Sequence, residues 1–445
     1  MFRFPEGLYA DIRIEYTEDA AYSFENGEVM SDTENVVSGA IIRVYDGKMW
    51  YTSVTNELDN IQSELDELAS LAEPDPDIEN DPMVKLFEVN RDTVLLFEGD
   101  NDIRKFTRPQ RKELVESYLK ECFDGSVPEI KKCGVSYYQD HHIKEFYSSK
   151  GAEIKQDFQQ ALVWCWFDIV VNDITTSGGR GFQSMELKDI TGCYDQVRDR
   201  INRFLDFAKN AEDVTPGDYV CVLSPDTTGM FTHESFGHKS EADFMLNDKT
   251  LRDEWVLGKK VGSDLVSIYD SGSPLHRGYI AYDDEGTKPR ETWLIQNGVL
   301  TGRLHNAKSA SVLDEELTGN SRAQDFGFSP LVRMTNTYMA PGNMSPEEII
   351  AGVEDGIYIY NVNYGTGQGT FTLQPNICYR IKNGKLAGPL RVNVVTGSVF
   401  KTLFDIDAVG NDFMICDTCT CGKGGQAMPV SDGGPTIRVK SLNVN

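Results

Sequence analysis

Positive charge and histidine are the two things this chain is short of. Against 70 Asp and Glu it carries 43 Lys and Arg, a formal net charge of −27, and it holds only six histidines in 445 residues. A surface of that sign repels phosphate backbones and anionic lipid surfaces. It removes the attraction on which non-specific nucleic-acid affinity depends, so direct DNA binding is excluded from the expected functions. Long hydrophobic runs are missing too. The opening MFRFPEGLYADIRIEY has no apolar signal-peptide core, and no later segment approaches the roughly 18 unbroken apolar residues of a membrane helix, so a cytoplasmic protein is expected. The nine cysteines are odd in number and scattered, which suits reduced thiols and metal ligands better than a disulfide framework. Three of them cluster at Cys416, Cys419 and Cys421.

What is present is enough apolar material, 40% of residues, for a large core divided between two or three domains. The first segment alternates in strand fashion around Asn26-Gly27 and Asp46-Gly47, both read as type I′ hairpin turns. Leu58, Ile61, Leu65 and Leu68 recur at helical spacing and stop before the prolines of EPDPD. Leu114, Val115, Tyr118, Leu119 and Cys122 form a second apolar helix face, and Val197, Ile201, Phe204, Leu205 and Ala208 a third. Between these two helices, KEFYSSKGAEIKQDF through ALVWCWFDIVV reads as strands. Further hairpins are predicted at Asn297-Gly298 and Asn383-Gly384. A helix should start at Ser345-Pro346-Glu347-Glu348, with Ser345 as cap and Glu348 completing a capping box. The polar NAEDVTPGD marks a boundary. The expected fold is α+β in two domains, with mixed but mainly antiparallel sheets and packed helices. Residues 1–212 are expected to form an N-terminal α+β domain and residues 213–445 a C-terminal domain, in which the motif described next places the expected metal-binding and catalytic residues.

Chemistry concentrates in MFTHESFGHKSEADF, Met230 to Phe244. DYVCVLS reads as a buried strand and PDTTGM as the loop leading into a helix that carries His233, Glu234 and His238. Neutral imidazoles ligate zinc, and a carboxylate beside the first one can take a proton from activated water, so metal-dependent hydrolysis fits. The spacing is the difficulty. At 100° per residue, positions five apart point about 140° from one another on a regular α-helix. Gly237 offers a way out if the backbone unwinds or makes a π-type turn there. The competing reading is a pair of helix histidines that hydrogen-bond locally. Two histidines need a third protein ligand, and CDTCTCGKGGQ supplies thiolate candidates beside a glycine-rich bend. The lone pair Cys416 and Cys419 lacks the second knuckle of a zinc ribbon.

The segments HESFGHKSEADF, AYDDEGTKPRETWLIQNGVLTGRL, RMTNTYMAPGNMSPEEIIAGVEDGIY, GTGQGTFTLQPNICYRIKNGKL and CGKGGQAMPVSDGGPTIRVKSLNV together resemble the TldD/PmbA family of zinc metallopeptidases, in particular its metal-bearing TldD-type members. The resemblance covers nearly the whole chain. It implies a zinc ion held by His233, His238 and Cys421, with Glu234 as general base. It also implies peptide substrates, unfolded or short, taken into an internal chamber, and a dimer formed either with itself or with a metal-free homologue. Family members carry an old label as modulators of DNA gyrase, which the charge of this chain does not support as direct DNA binding. Lys239 and Ser240 depart from the small and apolar residues of relatives, which bears on substrate preference.

Other features are given plainer readings. Glu241 could orient His238, but a solvated helix carboxylate is the simpler reading. RMTNTYM is taken as a core strand in preference to an edge for peptide addition, GTGQGT as a turn that lacks the lysine of a phosphate loop, and His141-His142 as surface. His276 and His305 are read as isolated and structural. Two other functions compete with the peptidase: a scaffold or regulatory partner with a structural metal, and redox sensing through Cys416, Cys419 and Cys421.

Overall fold

The alternating segments of the first half become long strands. In the computed structural model, which describes residues 2–367 and 369–445, Tyr9–Glu25, Glu28–Tyr45, Ile130–Ser148 and Glu153–Val171 run 17, 18, 19 and 19 residues. They belong to one seven-stranded sheet in the order Trp50–Thr55, Glu28–Tyr45, Tyr9–Glu25, Ile130–Ser148, Glu153–Val171, Arg91–Val94, with Ile174–Ser184 also paired to Glu153–Val171. Only the Arg91–Val94 pairing in this sheet is parallel. Side-chain alternation does the rest. Val163, Cys165, Phe167 and Ile169 are fully buried, while Trp164 on the opposite face is 40% exposed. The buried face meets helix Arg108–Cys122 through Leu114, Val115 and Tyr118, and helix Tyr194–Asn210 through Val197, Ile201 and Phe204. Each such side chain contributes about 1.5–3 kcal/mol on burial. The first predicted helix, Ile61–Leu71, ends before the prolines.

Asn26-Gly27, Asn297-Gly298 and Asn383-Gly384 have positive φ at both residues, as type I′ turns require. Asp46-Gly47 does not. Only Gly47 is left-handed, at φ 86°, and Asp46 Oδ1 instead accepts the backbone N–H of Lys48 and Met49, both at 2.9 Å. An aspartate that bonds its own turn in this way has no need of the left-handed region.

The second half builds two large sheets and a two-stranded one, Ser321–Arg322 with Leu331–Val332. Five strands, Asp355–Gly367, Gly217–Leu223, Ile437–Val444, Val395–Ser398 and Thr370–Lys382, pair in that order and close into a ring, because the first also pairs with the last. A separate six-stranded sheet carries Asn336–Met339 between Ile268–Asp270 and Gln426–Gly434, and all four of its residues are buried. RMTNTYM is therefore a core strand. Helix Pro225–Thr232 lies between the two large sheets. PDTTGM is thus the first turns of the helix and not a loop, since Ser224 caps the Thr227 N–H at 3.2 Å and Pro225 suits the first turn. Ser345 and Glu348 form the predicted capping box on Pro346–Ala351. Among the described residues no helix is long and apolar enough to cross a membrane.

The two halves are pinned together by AYDDEG. Asp283 accepts the N–H groups of Glu285, Thr287 and Ser321 and shapes the loop. Asp284 then reaches the first sheet, where Lys144 Nζ is 3.0 Å and Arg13 3.7 Å away, and Glu285 lies 3.9 Å from Arg43. Gly286, at φ 76°, approaches Phe146 so closely that a Cβ would sit 2.7 Å from its ring. The His141-His142 pair is not surface. His141 is 2% exposed, on a face covered by a loop whose Leu96, Phe97 and Ile103 N–H groups bond Asp157 and Gln159, and the partly buried His142, on the other face, bonds Thr17 and Asp140. Burial alone would raise the Asp284 carboxyl, but Lys144, Arg13 and the Ala323 N–H outweigh it and hold it at about 2. A carboxyl whose folded value is depressed stabilises the fold above its unfolded value and loses that contribution as pH falls. Unfolding followed by urea at each pH should therefore show stability falling from about pH 4 toward pH 2. Asp284→Asn at neutral pH should cost about 3–5 kcal/mol, and an unchanged midpoint would contradict the clamp.

Candidate metal centre

The backbone answers the spacing problem with one wide turn. Residues His233–Gly237 form a single π turn, in which the His238 N–H bonds the His233 carbonyl, between helix Pro225–Thr232 and the short helix His238–Ser240. The extra residue brings two side chains five apart onto one side. The rings of His233 and His238 lie 5.1 Å apart, nearly perpendicular. Gly237 is present for a different reason from the one its sequence position suggests. Its φ and ψ of −52° and −58° are ordinary helical values that any residue adopts. A Cβ there, however, would stand 1.9 Å from Met334 Sδ. The glycine lets the π turn seat directly on Met334, the second residue of the buried RMTNTYM segment.

The neighbouring residue of that segment positions the third candidate ligand. Cys421 lies on strand Met414–Lys423, which pairs with Gln426–Gly434 through a hairpin whose Gly424 and Gly425 both have positive φ. The fully buried Arg333 donates to the Cys421 carbonyl at 2.6 Å. Cys421 Sγ then stands 3.5 Å from His238 Nε2, and one ligand atom each of His233, His238 and Cys421 lie within 4.8 Å of one another. His233 Nδ1 is buried and has no hydrogen-bond partner among the described residues. Two nitrogens and a sulfur with an orphaned buried imidazole atom fit a zinc-type ion.

Electrostatics agrees with that donor set. Burial pushes the Cys421 thiol up, but the His233 and His238 imidazoles beside it overcome that and bring it down to about 5, which favours the thiolate, the form of cysteine able to ligate a metal. His238 is lowered by burial and raised by its bonds to Cys421 and Glu241, ending at about 10. Glu234, half-buried, is raised by burial against the lowering effect of the two histidines.

Glu241 is not the solvated carboxylate expected. It is fully buried, its Oε2 lies 3.2 Å from His238 Nδ1, and Lys423 Nζ is 3.0 Å from the same oxygen. Lys423 also bonds Asp243 at 2.7 Å and the Val332 carbonyl at 2.8 Å. The Glu-x-x spacing after His238 was a usable signal. The lysine that makes burial affordable comes from a distant strand. Lys239 and Ser240 face away from the site, Lys239 toward the Phe400 ring and Ser240 Oγ onto the Phe236 carbonyl. His305 and His276 are not isolated either, since they bond Glu315 at 2.9 Å and Asp417 at 3.1 Å.

The site opens into a cavity of about 560 Å³ between the two halves, walled by Trp164 and Arg180 from the first sheet and by Glu234, His238 and Cys421 from the second half. GTGQGT forms part of that wall and is more than a turn. Gly365 and Gly367 end strand Asp355–Gly367, and Cβ atoms there would come within 3.0 Å of Glu234 Cγ and 2.5 Å of its carbonyl oxygen, so only glycine lets the strand lie on the turn. Gln368 of that stretch lies outside the described residues.

Known proteins match along the chain. Residues 216–445 fit the PmbA/TldA metallopeptidase C-terminal domain and residues 10–73 fit PmbA/TldA metallopeptidase domain 1. A metalloprotease of Synechocystis is 30% identical over 98% of this chain and 94% of its own length. A zinc metalloprotease TldD homolog of Saccharolobus solfataricus is 32% identical over 71% of this chain and 72% of its own. The crystal structure of TldE from Thermococcus kodakarensis superposes with a TM-score of 0.80, covering 98% of this chain and 96% of that one at 16% identity, a likeness of fold.

The seat of the π turn is open to test by substitution. Gly237→Ala should cost about 1–3 kcal/mol in urea unfolding through overpacking on Met334. Combining it with Met334→Ala should recover part of that loss, whereas strictly additive losses would show that the two residues do not meet. With its C-terminal half matched as a unit and full-length relatives named metalloproteases at this identity, the chain belongs to the PmbA/TldD metallopeptidase family.

Proposed function

We propose that the chain is a zinc-dependent peptidase of the cytoplasm that cleaves unfolded or short peptides. In this reading residues 1–212 form one domain, and residues 213–445 form a second that carries the catalytic centre. The observation that supports it most is the convergence of His233, His238 and Cys421 on a cavity wall that also presents Glu234. The name of the Saccharolobus relative favours zinc as the ion.

Zinc, when bound by His233, His238 and Cys421, supplies Lewis acidity toward the scissile carbonyl. Glu234 moves the protons. Its carboxylate takes one from the attacking water and hands it to the leaving amine nitrogen, a role worth about 10² to 10⁴ in rate. Burial raises its affinity for protons toward the value such a shuttle needs. Glu241 accepts from His238 Nδ1 and so holds the ring with Nε2 toward the cavity, and Lys423 holds Glu241 in turn.

An extended peptide is accommodated by strand addition. Residues Asn361 to Thr366 line the cavity and pair with Thr370–Lys382 on one side, while among the described residues no strand pairs with their other side. Backbone pairing of that kind gives recognition with little sequence preference. The working unit is a dimer, formed with itself or with a metal-free homologue. Val29, Met30, Val36 and Val37, 45% to 77% exposed on the arm of the Tyr9–Glu25 and Glu28–Tyr45 hairpin, are an apolar surface suited to it.

Glu234→Gln should keep its zinc and lose peptide cleavage by about 10² to 10⁴, measured on casein or a short fluorogenic peptide. Full activity in that variant removes Glu234 as the base. Glu241→Gln should weaken zinc affinity about 10- to 100-fold in competition with a chromophoric chelator. Zinc bound normally with no hydrolysis by wild type, alone or with a partner, would favour the scaffold reading.

A further inference from the structure

Beside the first ligand set, and sharing its strand, stands another. Cys416 and Cys419 lie on Met414–Lys423, and Asp432 on the paired strand Gln426–Gly434. Residues three apart on a regular strand face opposite sides. Here the register slips between Cys416 and Cys419, and the irregularity turns both thiols the same way. Their sulfurs are 3.3 Å apart, Cys419 Sγ is 3.3 Å from Asp432 Oδ2, and the ligand atoms of all three residues lie within 4.8 Å of one another.

Asp432 is the odd member. It is 2% exposed, and the only hydrogen-bond partner of its side chain among the described residues is the Cys419 thiol. A buried carboxylate is ordinarily matched by a cation or by several donors. Helix Pro225–Thr232 comes as near as it can on the far side, where a Cβ on Gly229 would stand 2.6 Å from Asp432 Oδ1. The remaining approach is from the cavity, which Cys416, Cys419 and Asp432 all line together with Glu234.

We propose that Cys416, Cys419 and Asp432 form a second divalent-metal site of zinc type, distinct from the one at His233, His238 and Cys421, with its open position turned into the same cavity. Two thiolates and one carboxylate are a borderline-soft set that favours zinc over calcium or magnesium. Tetrahedral geometry at a zinc–sulfur distance of about 2.3 Å needs the sulfurs only a few tenths of an ångström further apart than they stand. Binding releases the two thiol protons to solvent and leaves the oxidation state of both sulfurs unchanged. Cys419 and Cys421, two apart on one strand, separate the sites by about 6–7 Å, beyond the roughly 3.5–4 Å of ions that share a substrate oxygen. The second ion is therefore a neighbour that cross-links two strands of the cavity wall, and because two protons leave as it binds, the net charge of a wall that carries Asp226, Glu234 and Asp432 is unchanged.

The inference does not depend on peptidase activity, and zinc stoichiometry separates the two sites. The full chain is kept reduced with a phosphine, loaded with zinc, desalted and analysed for metal per chain. Wild type should hold two zinc ions, Cys416→Ser/Cys419→Ser one, and Cys421→Ser one. A single ion in wild type that survives in Cys416→Ser/Cys419→Ser overturns the second site, as do two ions retained by that variant. A single ion lost in that variant but kept in Cys421→Ser supports the second site and counts against the first. Cobalt titration of Cys421→Ser guards against misfolding of the double variant. Intense near-ultraviolet thiolate-to-cobalt charge transfer is expected there, abolished by adding Asp432→Asn, and no such band overturns the proposal.

Discussion

The contact between Gly237 and Met334 is the constraint on which the candidate metal centre depends. A π turn is a local cost that a helix accepts only where something holds it. Met334 fills the place where a side chain of residue 237 would be, and the adjacent Arg333, buried and extended the other way, ties the Cys421 carbonyl. Two successive residues of one buried segment, between strands Leu331–Val332 and Asn336–Met339, thus set both sides of the site, the imidazoles through packing and the thiolate through a charge-assisted hydrogen bond. Strand Asn336–Met339 follows directly and is sealed between neighbours, which gives that pair a rigid base.

Around this base the chain spends buried charge freely. Asp284 with Lys144 and Arg13, Asp11 with Arg43, and Glu241 with Lys423 all lie in the interior. The first joins the first sheet to the AYDDEG loop, the second lies within that sheet and leaves Arg43 3.9 Å from Glu285 of the loop, and the third fixes His238 from behind. Breaking any one strands a charge away from water, so each is a requirement on geometry more than a gain in stability. The glycines at 365 and 367 complete the enclosure by letting a strand lie against Glu234.

Features written in local sequence were legible. The apolar faces of three helices, the Asn-Gly turns and the Ser345 capping box each depend on residues within one or two turns of chain, and they formed as the pattern predicts. His233, Glu234 and His238 stood out as candidates because few histidines were available to confuse the choice, while the choice of Cys421 among the clustered cysteines came from the family resemblance; the fold brings all four to one cavity wall. What was hidden needed a partner far along the chain. Glu241 reads as solvated until Lys423 is beside it, His141 as surface until loops cover the sheet, and Gly237 as a flexible joint until Met334 is found against it. Asp46-Gly47 failed for the opposite reason, since a strictly local side-chain bond displaced the turn its dipeptide suggests. Asp432 carried no signal at all, for nothing near it in sequence marks it as a partner of Cys416 and Cys419.

The central claim is that the widened turn lets two imidazoles and a distant thiolate hold one ion. X-ray absorption at the zinc edge, on the zinc-loaded Cys416→Ser/Cys419→Ser chain, tests it most directly. The account predicts one sulfur at about 2.3 Å and two imidazole nitrogens at about 2.0 Å. A first shell of nitrogen and oxygen with no sulfur would contradict it.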